Sequence, residues 1–195
     1  MEILNMRLNF ESYLEFRMLA IEKMSQVIQE SLKDAIGKVT ETIQSNGKLF
    51  ICGNGGSAAD AQHVAAEFIN GMSHPNNLHL PALALTTDTS ILTSHANDYS
   101  FDSIFEVQLK ALAQPDDCVL LLTTSGKSKN ILRALQYCHT KKLRTILIMG
   151  SSSTFTDGNA TVIRIPSTNT QVVQELTLMV EHFICERVIA NVSNQ

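Results

Sequence analysis

Residues 49–68, LFICGNGGSAADAQHVAAEF, leave the backbone few options. Four apolar residues, Leu49 to Cys52, run into Gly53, Gly55 and Gly56, and a serine then opens an alanine-rich segment with helical spacing. The pattern predicts strand, tight turn, helix. Glycines permit the sharp turn and let several N–H groups converge, and Ser57 is the expected N-cap of the helix. Converging amides at a helix N-terminus make a site for an anion, most often phosphate. Farther along the same helix, His63 and Glu67 stand four residues apart and so share one face, about a turn below the anion site.

The same pattern recurs down the chain. Apolar runs at 82–85, 118–122, 145–149 and 162–165 predict four more strands, and helical spacing marks 102–113, 128–140 and 170–192, with a short helix after the polar turn 86–90. His74-Pro75-Asn76-Asn77 reads as loop and Asn97-Asp98-Tyr99-Ser100 as a polar break. Strands that are apolar throughout and alternate with helices imply a parallel sheet covered on both faces. The predicted class is therefore α/β, a doubly wound, five-stranded parallel sheet, whose ligands sit at the carboxyl ends of the strands.

Before the first strand, apolar residues from Leu14 to Ile43 recur at three- and four-residue steps over some ten turns, ending at Asn46-Gly47. This predicts one long helix, or two with a break, carrying more apolar surface than one small sheet can cover, so part of it should meet another copy of the chain. With 195 residues the chain suits one domain: a helical oligomerisation segment, 1–46, and an α/β core, 47–195.

The formal charge of −4 and a pI near 5.8 argue against a nucleic-acid partner and for a small molecule. Cys52, Cys118, Cys138 and Cys185 are widely spaced with no C-x-x-C pair, which suits a reduced cytoplasm. No segment approaches the apolar length of a membrane span.

Gly53-Asn54-Gly55-Gly56-Ser57-Ala58 fits G-x-G-x-x-A, but the acidic residue expected about twenty positions on is missing, Asp88 being too far along. Ser125-Gly126-Lys127-Ser128 resembles the end of a P-loop, yet Leu121 stands where its first glycine belongs. No nucleotide cofactor is expected. Two turns at strand ends, one rich in glycine and one, 123–128, rich in hydroxyls, suit a phosphate monoester, with Lys127 and Lys129 as candidate added charge. The last helix carries Gln174 and His182 two turns apart, and with His63 and Glu67 these compose a nitrogen and oxygen donor set for zinc or a similar ion. Spacing leaves Glu175, Glu181 and Glu186 of that helix open as alternative donors, though they read rather as solvent-facing or interface charges.

CGNGGSAADAQHVAAEF (52–68), ALALTTDTSILTSHANDYSFDSIF (82–105), LLTTSGKSKNI (121–131) and the Gln174 and His182 pair together resemble the phosphoheptose (sedoheptulose 7-phosphate) isomerases of the sugar isomerase (SIS) superfamily, over residues 10–192. The resemblance implies a flavodoxin-like SIS fold and isomerisation of sedoheptulose 7-phosphate to D-glycero-D-manno-heptose 7-phosphate, toward the heptose of bacterial lipopolysaccharide. It places Asn54, Gly55, Gly56, Thr123, Thr124, Ser125 and Ser128 on the sugar phosphate, to which chemistry adds Ser57, and Asn97 and Asp98 on the sugar. It makes His63, Glu67, Gln174 and His182 ligands of one zinc per subunit, with Glu67 and Gln174 also at the substrate and Glu67 and His182 as the acid/base pair. It further implies a cytoplasmic homotetramer built round a helical bundle, with sites at subunit interfaces. Non-catalytic SIS regulators that bind the replication initiator lack the Glu and the second His, both present here; an isomerase of another phosphosugar is the other alternative. Departures from the family pattern bear on substrate preference: Lys127 replaces Asn, Val172-Val173 replaces Arg-Ile, and His95 and Ser100 are further changes.

Overall fold

The apolar runs are strands and the periodic segments between them are helices in the computed structural model, which describes residues 9–73, 78–153, 155–156 and 158–193. The expected loop at 74–77 lies outside the described residues. In chain order the elements are α1 (Phe10–Val27), α2 (Gln29–Gln44), β1 (Leu49–Cys52), α3 (Gly56–Asn70), β2 (Ala82–Ala84), α4 (Thr89–Asp98), α5 (Ile104–Leu112), β3 (Cys118–Thr123), α6 (Lys129–Lys141), β4 (Arg144–Gly150), β5 (Thr161–Ile165) and α7 (Thr170–Ser193).

All four strand pairings are parallel, in the order β2-β1-β3-β4-β5. Every residue of β1 and β3 is buried, as runs without polar alternation require, whereas the edge strand β5 alternates buried and part-exposed positions. Successive side chains of β1 enter opposite layers. Leu49 and Ile51 join a core with Val64 and Phe68 of α3 and Val173 and Val188 of α7; Phe50 joins Phe105 and Leu109 of α5 and Ile131 and Leu135 of α6. The chain leaves β1 toward β2 and then crosses back to β3, so the order reverses between β1 and β3, and a crevice opens at their carboxyl ends.

The N-terminal segment is two helices broken at Ile28, which ends α1 and begins α2. The expectation of excess apolar surface falls on α1. It buries only Ala20 and Met24 and leaves Phe10, Leu14, Met18, Leu19 and Val27 exposed, while α2 buries Leu32, Ala35 and Val39. Arg17 fastens α1 to α7, with its Nε 2.6 Å from Glu175 Oε2 and its guanidinium 3.2 Å from the centre of the Tyr13 ring. Among the described residues no helix is long and apolar enough to cross a membrane.

Two local expectations need correction. Ser57 is not the N-cap of α3: Gly55 is, with a φ of 58° that disfavours any side chain, and Ser57 lies buried in the first turn. Asn97 and Asp98 are not in a break but in the last turn of α4, which Asp88 caps by accepting the Ile91 N–H at 2.9 Å; the helix stops at Tyr99.

Candidate active site

The crevice between β1 and β3 holds a small cavity of about 110 Å3, room for a phosphate group in place of three or four waters. Asn54, Gly56 and Ser57 line it from the β1–α3 turn, Thr123, Thr124 and Ser128 from the β3–α6 turn. Thr170 and Gln174, from the first turns of α7, close the third side. Thr123 organises its turn: its Oγ1 accepts the Gly126 N–H at 3.2 Å and lies 3.3 Å from Ser128 Oγ. Donors converge here from the amino-terminal ends of three helices, α3, α6 and α7, which is the arrangement an anion selects. A Cβ at Gly56 would displace the Gln174 carboxamide from its present position against this turn.

Both helices that wall the cavity carry titratable groups farther along. His63 of α3 meets His182 of α7 with Nε2 atoms 2.8 Å apart, rings edge to face, and His63 Nε2 lies 3.8 Å from Glu67 Oε1. One imidazole must donate and the other accept across that contact, so each fixes the tautomer of its neighbour. His63 is 44% exposed at its side chain and Glu67 28%, so this end of the site is open on the single chain.

Gln174 turns away from the two histidines toward the cavity and bonds Asp60, a buried carboxyl on α3. Burial raises Asp60 above the usual carboxylate range, opposed by the Gln174 hydrogen bond and by nearby His63. Across from Asp60 lies Glu181, and here the sequence reading fails: Glu181 is 1% exposed, neither solvent-facing nor available to an interface, and neither carboxyl oxygen has a hydrogen-bond partner among the described residues. Its neighbour is Asp60, so it stands on the side of α7 that packs on α3. Glu175 and Glu186, by contrast, are exposed as expected.

The SIS domain family matches residues 12–150 of the chain. A phosphoheptose isomerase of Synechocystis sp. is 44% identical over 173 residues, which span 86% of this chain and 89% of that one. The chain belongs to the phosphoheptose isomerases. Two solved phosphoheptose isomerases share the whole architecture. That of Neisseria gonorrhoeae superposes with a TM-score of 0.84 at 32% identity, covering 95% of this chain and 98% of its own; that of Francisella tularensis gives 0.86 at 31%, covering 92% and 95%.

For a phosphoheptose isomerase, the expected residues fall into three groups. Asn54, Gly56, Ser57, Thr123, Thr124, Ser128 and Gln174 share the cavity; Gly55 and Ser125 belong to its turns without lining it. His63, Glu67 and His182 form the second group. Asn97 and Asp98 stand apart: Asn97 donates to Asp98 at 2.8 Å, and Asp98 lines a different surface hollow with Tyr99 and Arg133. Thr170, Asp60 and Asn130, which hydrogen-bonds Asn54, were not singled out by sequence reasoning: Asp60 and Asn130 lie inside the motifs at 52–68 and 121–131, but nothing local there distinguishes them from their neighbours.

Zinc, which the resemblance implies, meets suitable donor chemistry in two imidazole nitrogens and a carboxylate. Ligand atoms of a tetrahedral zinc stand about 3.3 Å apart, and the 2.8 Å and 3.8 Å separations bracket that value. Among the described residues, however, no three His, Cys, Asp or Glu side chains are drawn together closely enough to hold an ion, and Gln174 faces the cavity.

Proposed function

We propose that this isomerase interconverts sedoheptulose 7-phosphate and D-glycero-D-manno-heptose 7-phosphate, supplying the heptose of bacterial lipopolysaccharide. The observation that carries the reading is a spacing along two helices. His63 lies six residues beyond Ser57 and His182 eight beyond Gln174, or about 9 and 12 Å of helix rise. The phosphate cavity and the imidazole–carboxylate group are therefore separated by roughly the reach of an extended seven-carbon sugar from its phosphate to C1 and C2.

Ketose–aldose exchange moves a proton between C1 and C2 through an enediol, so it needs a base at carbon and an acid at oxygen. Glu67 takes the C1 proton while His182 protonates O2; return of the carbon proton to C2 with loss of the O1 proton gives the aldose. His63 holds His182 in the tautomer that the transfer needs, and the cavity amides and hydroxyls fix the far end of the substrate. His63, Glu67, His182 and a reoriented Gln174 would hold a zinc ion, which when bound supplies electrophilic polarisation of the carbonyl oxygen. The open end of the site and the bare apolar face of α1 support a homotetramer whose neighbouring subunits complete each site, Asn97 and Asp98 reaching sugar in that assembly.

The test is conversion of sedoheptulose 7-phosphate, followed by aldose formation with chelator and with added zinc. Glu67→Gln should lower kcat by about 10²–10⁴ while inhibition by inorganic phosphate stays as in the parent. No turnover under any metal condition would favour a regulatory SIS protein, and a substantially active mutant would remove Glu67 from the base role.

A further inference from the structure

Beyond Cys52 paired with Leu121, the β1 and β3 ladder ends and the two turns that frame the phosphate cavity diverge. They are joined again by a pair of carboxamides. Asn54 Nδ2 donates to Asn130 Oδ1 at 2.9 Å, and Asn130 Nδ2 donates back to Asn54 Oδ1 at 2.8 Å. Asn130, the second residue of α6, is 2% exposed, and its Oδ1 also lies 3.0 Å from the Ile131 N–H. An amide offers two N–H groups and one carbonyl oxygen with two acceptor sites, so this reciprocal pairing engages one donor and one acceptor of each residue in a flat, two-bond link. Asn54 and Ser128, on either side of that link, both line the cavity. The side chain of Asn54 is thus engaged with the opposite turn, and the two turns are bridged by a buried group that does not itself line the cavity.

We propose that Asn130 is a positioning residue of this isomerase: through Asn54 it fixes the spacing of the two phosphate-binding turns and so governs how tightly the phosphate end of the substrate is held, leaving proton transfer at the distant His182 and Glu67 unaffected. The kinetic part of the inference rests on the isomerase reading, whereas its phosphate-binding part does not.

Asn130→Ala, Asn130→Ser, Asn54→Ala and the double alanine variant are compared with the parent by calorimetric titration with inorganic phosphate and by steady-state kinetics. Asn130→Ala should weaken phosphate binding by about tenfold, since part of the free energy of the two lost hydrogen bonds must then be met by the ligand in ordering the turns, and raise KM by the same factor with kcat within about threefold, the pattern of lost uniform binding. The double variant should be no weaker than Asn54→Ala alone, because the two side chains act as one unit. Phosphate affinity of Asn130→Ala within about twofold of the parent, a fall confined to kcat, or multiplicative effects in the double variant would each overturn the inference. So would a parent that binds no phosphate. If the parent binds phosphate but turns over no heptose phosphate, and Asn130→Ala still weakens phosphate, the isomerase reading fails and the positioning role stands. Should Asn130→Ala not fold, Asn130→Ser decides by the same criteria.

Discussion

Glu181 enters the protein interior one position before His182, on the helix whose first turns line the cavity. Its carboxyl oxygens lack hydrogen-bond partners among the described residues and share their surroundings with buried Asp60. Burial first, and the Asp60 charge second, push the Glu181 carboxyl well above the usual range, which holds the group in its neutral form. Even neutral, a buried carboxyl without partners costs about 1–3 kcal/mol relative to a well-packed apolar side chain. Glu181→Leu is therefore expected to stabilise the fold, by about 2–4 °C in melting temperature for each kcal/mol in a chain of this size. Thermal denaturation followed by circular dichroism at pH 7 checks this, and a lower melting temperature would show that Leu cannot fill the site. Nothing in the sequence near 181 betrayed this burial. The helical period of α7 has apolar residues on nearly every side, so periodicity could not say which face was in.

Between elements, the contact of α5 with α6 turns on one carboxylate. Glu106 accepts from Lys110, one turn on, with Nζ 2.6 Å away, and from Arg133 of α6 at 2.9 and 3.0 Å. The Lys110 hydrogen bond is the largest influence; burial, next in size, opposes it, and the Lys110 and Arg133 charges with the Arg133 hydrogen bond tip the balance, so Glu106 is held below the usual glutamate range. A carboxyl whose folded value is depressed binds its proton more weakly folded than unfolded. Its stabilisation is complete above the unfolded value of 4.5 and is lost as pH falls below it. Glu106→Gln should thus be less stable than the parent at pH 7, by about 1 kcal/mol, and the gap should close as pH is lowered toward 3. Denaturant titrations at pH 7, 5 and 3 measure it; a gap that widens in acid would refute the assignment. At this scale the sequence was a good guide, because helices and strands are written in local periods: α6, α7 and all five strands lie within a residue or two of expectation. The exceptions at Ser57 and at Asn97-Asp98 arose where a glycine in a left-handed conformation, and a cap placed nine residues upstream, outweighed side-chain preference.

The whole molecule carries an unpaired surface. Along α1, Phe10, Leu14, Met18 and Leu19 face outward while Arg17 and Tyr13 hold the helix to Glu175. A helix so placed is ordered yet largely unburied, which fits the proposed bundle with other copies. Leu14→Lys with Met18→Lys should leave the α/β core folded but dissociate the assembly, since buried lysines without partners cost several kcal/mol each. Light scattering should give four times the 21.5 kDa chain mass for the parent and a smaller species for the variant; an unchanged mass would place the interface elsewhere. By itself the sequence determined the fold class, the strand and helix succession, the two strand-end turns that line the cavity and the His63 and Glu67 face, because each is encoded by residues close in the chain. Only the tertiary structure decided that His63 meets His182 across 119 residues, that Asn130 braces Asn54 across 76, that Gln174 faces the cavity, and that Glu181 is buried. Those facts depend on how α3, α6 and α7 dock on one sheet edge, and docking is settled by the packing of the whole core, which no local period records.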